Sequence, residues 1–153
     1  MFRFLPVTLI LSTFSFVSIA HGQTKDTTDW TKLLQHSNFI AISSINKIDK
    51  AILSKFPGWK KMSKPGGRFN ASDVGGGRRL RLLFVAKTDD HWIISYEHGG
   101  IGYHTHCLLI TIDPQKNLDI QESYVKFESL NNLKETISTN GLTMFKTWQG
   151  YEN

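Results

Sequence analysis

The sequence predicts an α+β fold in which N-terminal helices pack on an antiparallel four- to five-strand meander, followed by a C-terminal helix. Between residues 79 and 127, runs of β-branched and aromatic residues alternate with short turn-forming segments, which is typical of strands joined as a meander. Apolar residues at helical spacing occur before and after this stretch. This order of elements predicts helices on one face of the sheet and an open second face.

Two helices are predicted before the sheet. Thr28 or Asp29 can cap a helix that begins at Trp30, and Ser43 or Ser44 can cap a second one. The second helix has apolar residues at helical spacing and ends at a Pro-Gly pair: Ile45, Ile48, Ile52 and Phe56, then Pro57-Gly58.

Four strands and a final helix follow. Ser129 can cap the final helix, which Asn140-Gly141 ends. Residues 39–42 are either a short strand or a continuation of the first helix, and residues 142–148 are either an edge strand or a packed tail. The four strands are predicted at residues 79–87, 92–97, 103–112 and 118–127.

The first 22 residues have the pattern of a secretory signal peptide. A short basic start with Arg3 precedes the mostly apolar run from Leu5 to Ile19, and small residues near Ala20 suit a signal peptidase. We therefore expect cleavage near residues 20–22 and a secreted or periplasmic location. Residues 23–153 are then one globular domain, in which no later segment is expected to span a membrane.

A long connection at residues 57–77 is rich in glycine and in basic residues. A loop of this length in a small domain is usually either functional or mobile. Backbone N–H groups of glycines beside arginines can hold an anion, although the segment matches a phosphate loop poorly. The candidate anion-binding residues are Arg68, Arg78, Arg79 and Arg81.

The predicted hairpin at residues 92–113 holds most of the side chains capable of chemistry. Side chains alternate along a strand, so His104 and His106 share one face. An even number of residues in the turn places Glu97 on that face, whereas an odd number places His98 there instead. The sequence leaves this register open.

Two kinds of chemistry suit this cluster. His104, His106 and Glu97 could hold zinc or another borderline metal. Without a metal, Glu97 could act as a general base and either histidine as a general acid. The alternative is that these are ordinary polar residues of a sheet. Cys107 should lie on the opposite face, which makes it a poor metal ligand and a buried apolar residue instead.

Two functional classes remain from the sequence. The first is an exported binding or accessory module for an anionic ligand or a cell-surface partner. The alternative is a small secreted hydrolase that uses the Glu/His cluster of the 92–113 hairpin, with or without a bound metal. A modest net charge of +5 and the lack of a recognition motif argue against nucleic acid as the partner.

Overall fold

A computed structural model describes residues 28–150; the predicted signal peptide lies outside them. Among these residues no helix is long and apolar enough to cross a bilayer. The α-helices are α1 (Trp30–His36), α2 (Lys50–Lys55) and α3 (Leu130–Asn140), and the strands are β1 (Ile40–Ala41), β2 (Leu80–Lys87), β3 (His91–His98), β4 (His104–Ile112), β5 (Leu118–Ser123) and β6 (Lys146–Thr147).

The strands form one antiparallel sheet in the order β1-β2-β3-β4-β5-β6. The α+β class and the antiparallel meander are therefore confirmed. The sheet has six strands rather than four or five, because the two ambiguous segments at 39–42 and 142–148 each contribute a two-residue edge strand. Short edges offer little backbone for pairing with another chain.

Helices cover both faces of the sheet, so the prediction of one open face is wrong. Side chains of α2 pack on one face, the α2 face, and side chains of α1 and α3 pack on the other, the α3 face. Ile93 and Ile94 point to opposite faces and neither is exposed to solvent. Central strands that are apolar on both sides need a cover on each side.

The predicted second helix is in two pieces. Ser44 caps a short 3-10 helix, Ile45–Lys47, and the backbone then becomes extended at Ile48. The carboxylate of Asp49 accepts a hydrogen bond from the backbone N–H of Ala51 at 2.8 Å and starts α2 anew. A competing N-cap inside the apolar pattern therefore explains the break.

The glycine-rich segment is tied to the sheet at two points. Ser63 forms a parallel bridge with Arg81, and its backbone N–H donates to the carbonyl of Leu80 at 2.8 Å. Further along, the carbonyl of Asn70 lies so close to Gly99 that a Cβ atom there would be 2.0 Å from its oxygen. Only glycine fits at this approach, which joins the segment to the β3–β4 turn.

The two-sided core predicts equal sensitivity on both faces. Ile52→Ala on the α2 face and Leu133→Ala on the α3 face should each lower the free energy of unfolding by about 2–5 kcal/mol, because each truncates a fully buried side chain. The exposed controls Lys50→Ala and Glu135→Ala should change it by less than about 0.5 kcal/mol. Urea denaturation measures both. A near-neutral Ile52→Ala would contradict the packing of α2 on the sheet.

Candidate metal centre

The register of β3 on β4 decides which groups meet. His98 pairs with His104, so the turn at residues 99–103 has an odd number of residues. His98, His104 and His106 therefore share the α2 face at one end of the sheet. Glu97 pairs with Thr105 and lies on the α3 face. Of the two alternatives that the sequence left open, the structure has the one with His98.

The three histidines lie close together. One ring nitrogen from each of His98, His104 and His106 lies within 4.8 Å of the other two. In a tetrahedral zinc site with bonds of about 2.0–2.1 Å, the ligand nitrogens would be about 3.4 Å apart. A bound zinc ion would therefore have to draw the three nitrogens closer together than they lie in the structure. His106 is buried, whereas His98 and His104 are half-buried, so the centre opens towards solvent.

Hydrogen bonds orient two of the three rings. Nδ1 of His106 lies 2.6 Å from Oε1 of Glu122, and Nδ1 of His104 lies 2.7 Å from the carbonyl oxygen of Gly102. A carboxylate and a carbonyl can only accept, so each Nδ1 carries the proton. In the neutral imidazole the lone pair is then on Nε2. Histidines that bind metals usually have this arrangement.

Two tyrosines support the same centre. The hydroxyl of Tyr124 donates to Oε2 of Glu122 at 3.3 Å, and the ring of Tyr96 stacks on His106 with centroids 4.6 Å apart. Burial, followed by the negative charge of Glu122, raises the pKa of Tyr124. Tyr124 therefore stays a donor at neutral pH, and Glu122 and His106 are held in place from two sides.

His98 is kept in the form that binds metals. Burial lowers the pKa of His98, and His104, His106 and Arg79 lower it further by charge repulsion. A neutral imidazole is required for coordination, because the protonated ring has no lone pair.

Glu97 belongs to a different network. It is 2% exposed and accepts hydrogen bonds from Arg81 and from the hydroxyl of Tyr103, with Lys126 at 4.0 Å. Burial raises the pKa of Glu97, but the hydrogen bonds and these positive charges outweigh burial and hold it below its usual range. The structure therefore does not bring Glu97 to His104 and His106, because an odd turn shifts it to the other face.

The four candidate anion-binding arginines are divided among three places. Arg81 is paired with Glu97, and Nη2 of Arg79 donates to the carbonyl of Asp73 at 2.8 Å. Arg68 and Arg78 line a cavity of about 640 Å³ beside the glycine-rich segment. The structure thus leaves only these two of the four facing a common space.

Cys107 lies on the α3 face and is fully buried. Burial strongly raises the pKa of its thiol. Cys107 is therefore on the opposite face of the sheet from the histidines, as strand alternation predicts, and its thiol stays protonated. Both facts make it a poor metal ligand.

An aromatic cleft of about 530 Å³ borders the histidine cluster. His98 belongs to the cluster and also lines the cleft. Its rings pack on one another: Phe56 stacks on Trp59 at 4.3 Å, and Trp59 meets the edge of Tyr96 at 5.3 Å. Trp148, which follows β6, completes the wall. The cleft therefore combines residues from distant parts of the chain.

Sequence reasoning missed Glu122 and the aromatic cleft. Glu122 could have been found, because it continues the alternation of Leu118 and Ile120, which face the core. A carboxylate at an apolar position needs a partner. The cleft had no comparable signal, since Trp148 and Phe56 are far apart in the sequence.

Comparison with protein-family models, with curated protein sequences and with solved structures gives no match in any of the three. The function of the protein is therefore inferred from its site alone.

Replacing Glu97 tests the separation of the two networks. Glu97→Gln keeps the shape but removes the charge opposite Arg81, so it should destabilise the fold by about 1–3 kcal/mol at pH 7 while leaving zinc affinity unchanged. The pKa of Glu97 is lower in the folded chain than in the unfolded one, where it is about 4.3.

The stabilisation is accordingly present above about pH 4.3 and is lost as the pH falls through the folded pKa. The difference between wild type and Glu97→Gln should shrink in that direction in urea titrations. Glu135→Gln, on an exposed helix position, is the control. A loss of zinc affinity in Glu97→Gln would instead return Glu97 to the metal centre.

Proposed function

We propose that the protein is a small exported metal-binding module that holds a divalent cation such as Zn²⁺ through His98, His104 and His106. The observation that carries this proposal is the convergence of the three imidazoles, two of them oriented through Nδ1. Glu122 supports the proposal as well, because a buried carboxylate that orients a histidine ligand is a common feature of metal sites.

The ligand set favours zinc, copper or nickel over harder cations. Imidazole nitrogens suit these borderline metals, whereas magnesium and calcium prefer oxygen ligands. Among the described residues the cluster contains three such ligands and no fourth. Three protein ligands leave a coordination position for water or for a ligand, as in catalytic zinc sites.

The signal-peptide pattern of residues 1–22 supports a secreted or periplasmic location for this module. A cell-surface partner is part of the same proposal, since the turn between β3 and β4, beside the centre, exposes the apolar side chain of Ile101.

A metal-assisted hydrolase is the second candidate function. The open coordination position favours it, because a zinc-bound water has a pKa of about 7 and is a nucleophile near neutral pH. Glu97 lies on the wrong face to act as its base. Glu122 lies 2.6 Å from Nδ1 of His106 and would orient that ligand in such an enzyme.

An anionic ligand remains a proposal for the cavity beside the glycine-rich segment. Arg68 and Arg78 line it together with Lys64, and Ser63 is also at its wall. Positive charge with adjacent hydroxyl and N–H donors is the chemistry that recognises phosphate or carboxylate.

Metal titration tests the main proposal. The purified protein should bind one zinc ion per chain, and zinc at 100 times its Kd should add up to about 2.7 kcal/mol to the free energy of unfolding. His98→Ala, His104→Ala and His106→Ala should each lower the affinity more than about 100-fold, because each removes a direct ligand. Calorimetry and elemental analysis measure stoichiometry and affinity.

His36→Ala, at the exposed end of α1, is the matched control and should bind zinc normally. Absence of stoichiometric zinc, copper and nickel in the wild type would overturn the proposal. The same samples distinguish the two candidate functions. Zinc-dependent hydrolysis of 4-nitrophenyl acetate that is lost in His106→Ala would indicate a hydrolase. Absence of this hydrolysis in the wild type would indicate a binding module.

Glu122 should act through His106 rather than as a ligand. Glu122→Gln weakens the acceptor for Nδ1 and should lower zinc affinity by about 10–100-fold without changing the stoichiometry. Glu128→Gln is the control, because Glu128 is exposed and pairs with Lys126 rather than with a histidine; it should bind zinc like the wild type. Loss of one-to-one binding in Glu122→Gln would show that the carboxylate coordinates the metal directly.

A further inference from the structure

The aromatic cleft has the size and rigidity of a small-molecule site. Its volume of about 530 Å³ lies within the range of roughly 300–1,000 Å³ that ligand pockets occupy. Phe56, Trp59 and Tyr96 hold one another in fixed orientations through ring contacts of 4.3–5.3 Å. A preformed wall of this kind binds without the cost of ordering flexible side chains.

The charges around the cleft are all of one sign. Lys55 lines the cleft, and its ammonium lies 5.2 Å from the ring centroid of Trp148. His98 lines the cleft as well and would present the metal to it. Of the described residues that line the cleft, none is acidic. Charge complementarity therefore selects an anion.

We infer that the cleft binds a small organic anion with a planar ring, whose anionic group takes the open coordination position of the metal while its ring lies against the wall of the cleft. This inference rests on the proposed metal site and adds the class of its ligand. The occupant is neither inorganic phosphate nor a macromolecule: phosphate lacks the apolar body, and the cleft is too small for a folded segment.

The test compares two probes with the same metal-binding group. Benzohydroxamate has a phenyl ring and acetohydroxamate has a methyl group in its place. Burial of the ring against the cleft should make benzohydroxamate bind the zinc-loaded protein about tenfold more tightly or better. Isothermal titration calorimetry measures both affinities, with elemental analysis afterwards to show that zinc has stayed on the protein.

Two variants assign the preference to the cleft. Trp148→Ala should abolish the difference between the probes while leaving zinc affinity unchanged. Lys55→Gln is at an exposed position and preserves the fold; it should weaken benzohydroxamate roughly two- to fivefold. Lys60→Gln, a nearby exposed lysine that does not line the cleft, should have no effect.

The outcomes separate this inference from the metal site itself. Zinc binding with equal affinity for both probes would overturn the inference and leave the metal site intact. Absence of zinc binding would overturn both.

Discussion

The pairing of His98 with His104 determines which side of the sheet each functional group occupies. A shift of one residue would move the side chains of a whole strand to the other face. Trp92, Ile94 and Tyr96 would then leave the α2 core, and Ile93 would leave the α3 core. Because both faces are buried, such a shift is costly on each side. The packing of the core therefore determines which three histidines meet at this end of the sheet.

The centre and the core are physically continuous. Tyr96 contacts Trp59 on one side and His106 on the other, so the aromatic packing of the α2 face extends to a candidate metal ligand. On the other face, at the same end of the sheet, Glu97 and Arg81 form an ion pair in which their charges cancel. One end of the sheet thus carries two polar networks, kept apart by the thickness of the sheet.

The sequence predicted the strands well and the register poorly. β-Branched runs located the long strands to within a few residues at most ends. Alternation correctly placed Cys107 on the opposite face of the sheet from His104. The turn between β3 and β4 contains Gly99, Gly100 and Gly102, which permit many turn lengths. Local chemistry therefore could not choose between Glu97 and His98. The aromatic cleft depends on long-range packing, which periodicity does not encode.

The three candidate ligands lie within the span 98–106, so their proximity owes little to distant parts of the chain. An unfolded polypeptide with His104 and His106 two positions apart retains some affinity for a borderline cation. Binding to the unfolded ensemble subtracts from the stability that the cation confers on the native state. A cation that bound these histidines before the helices dock would favour the odd turn while the hairpin is still forming.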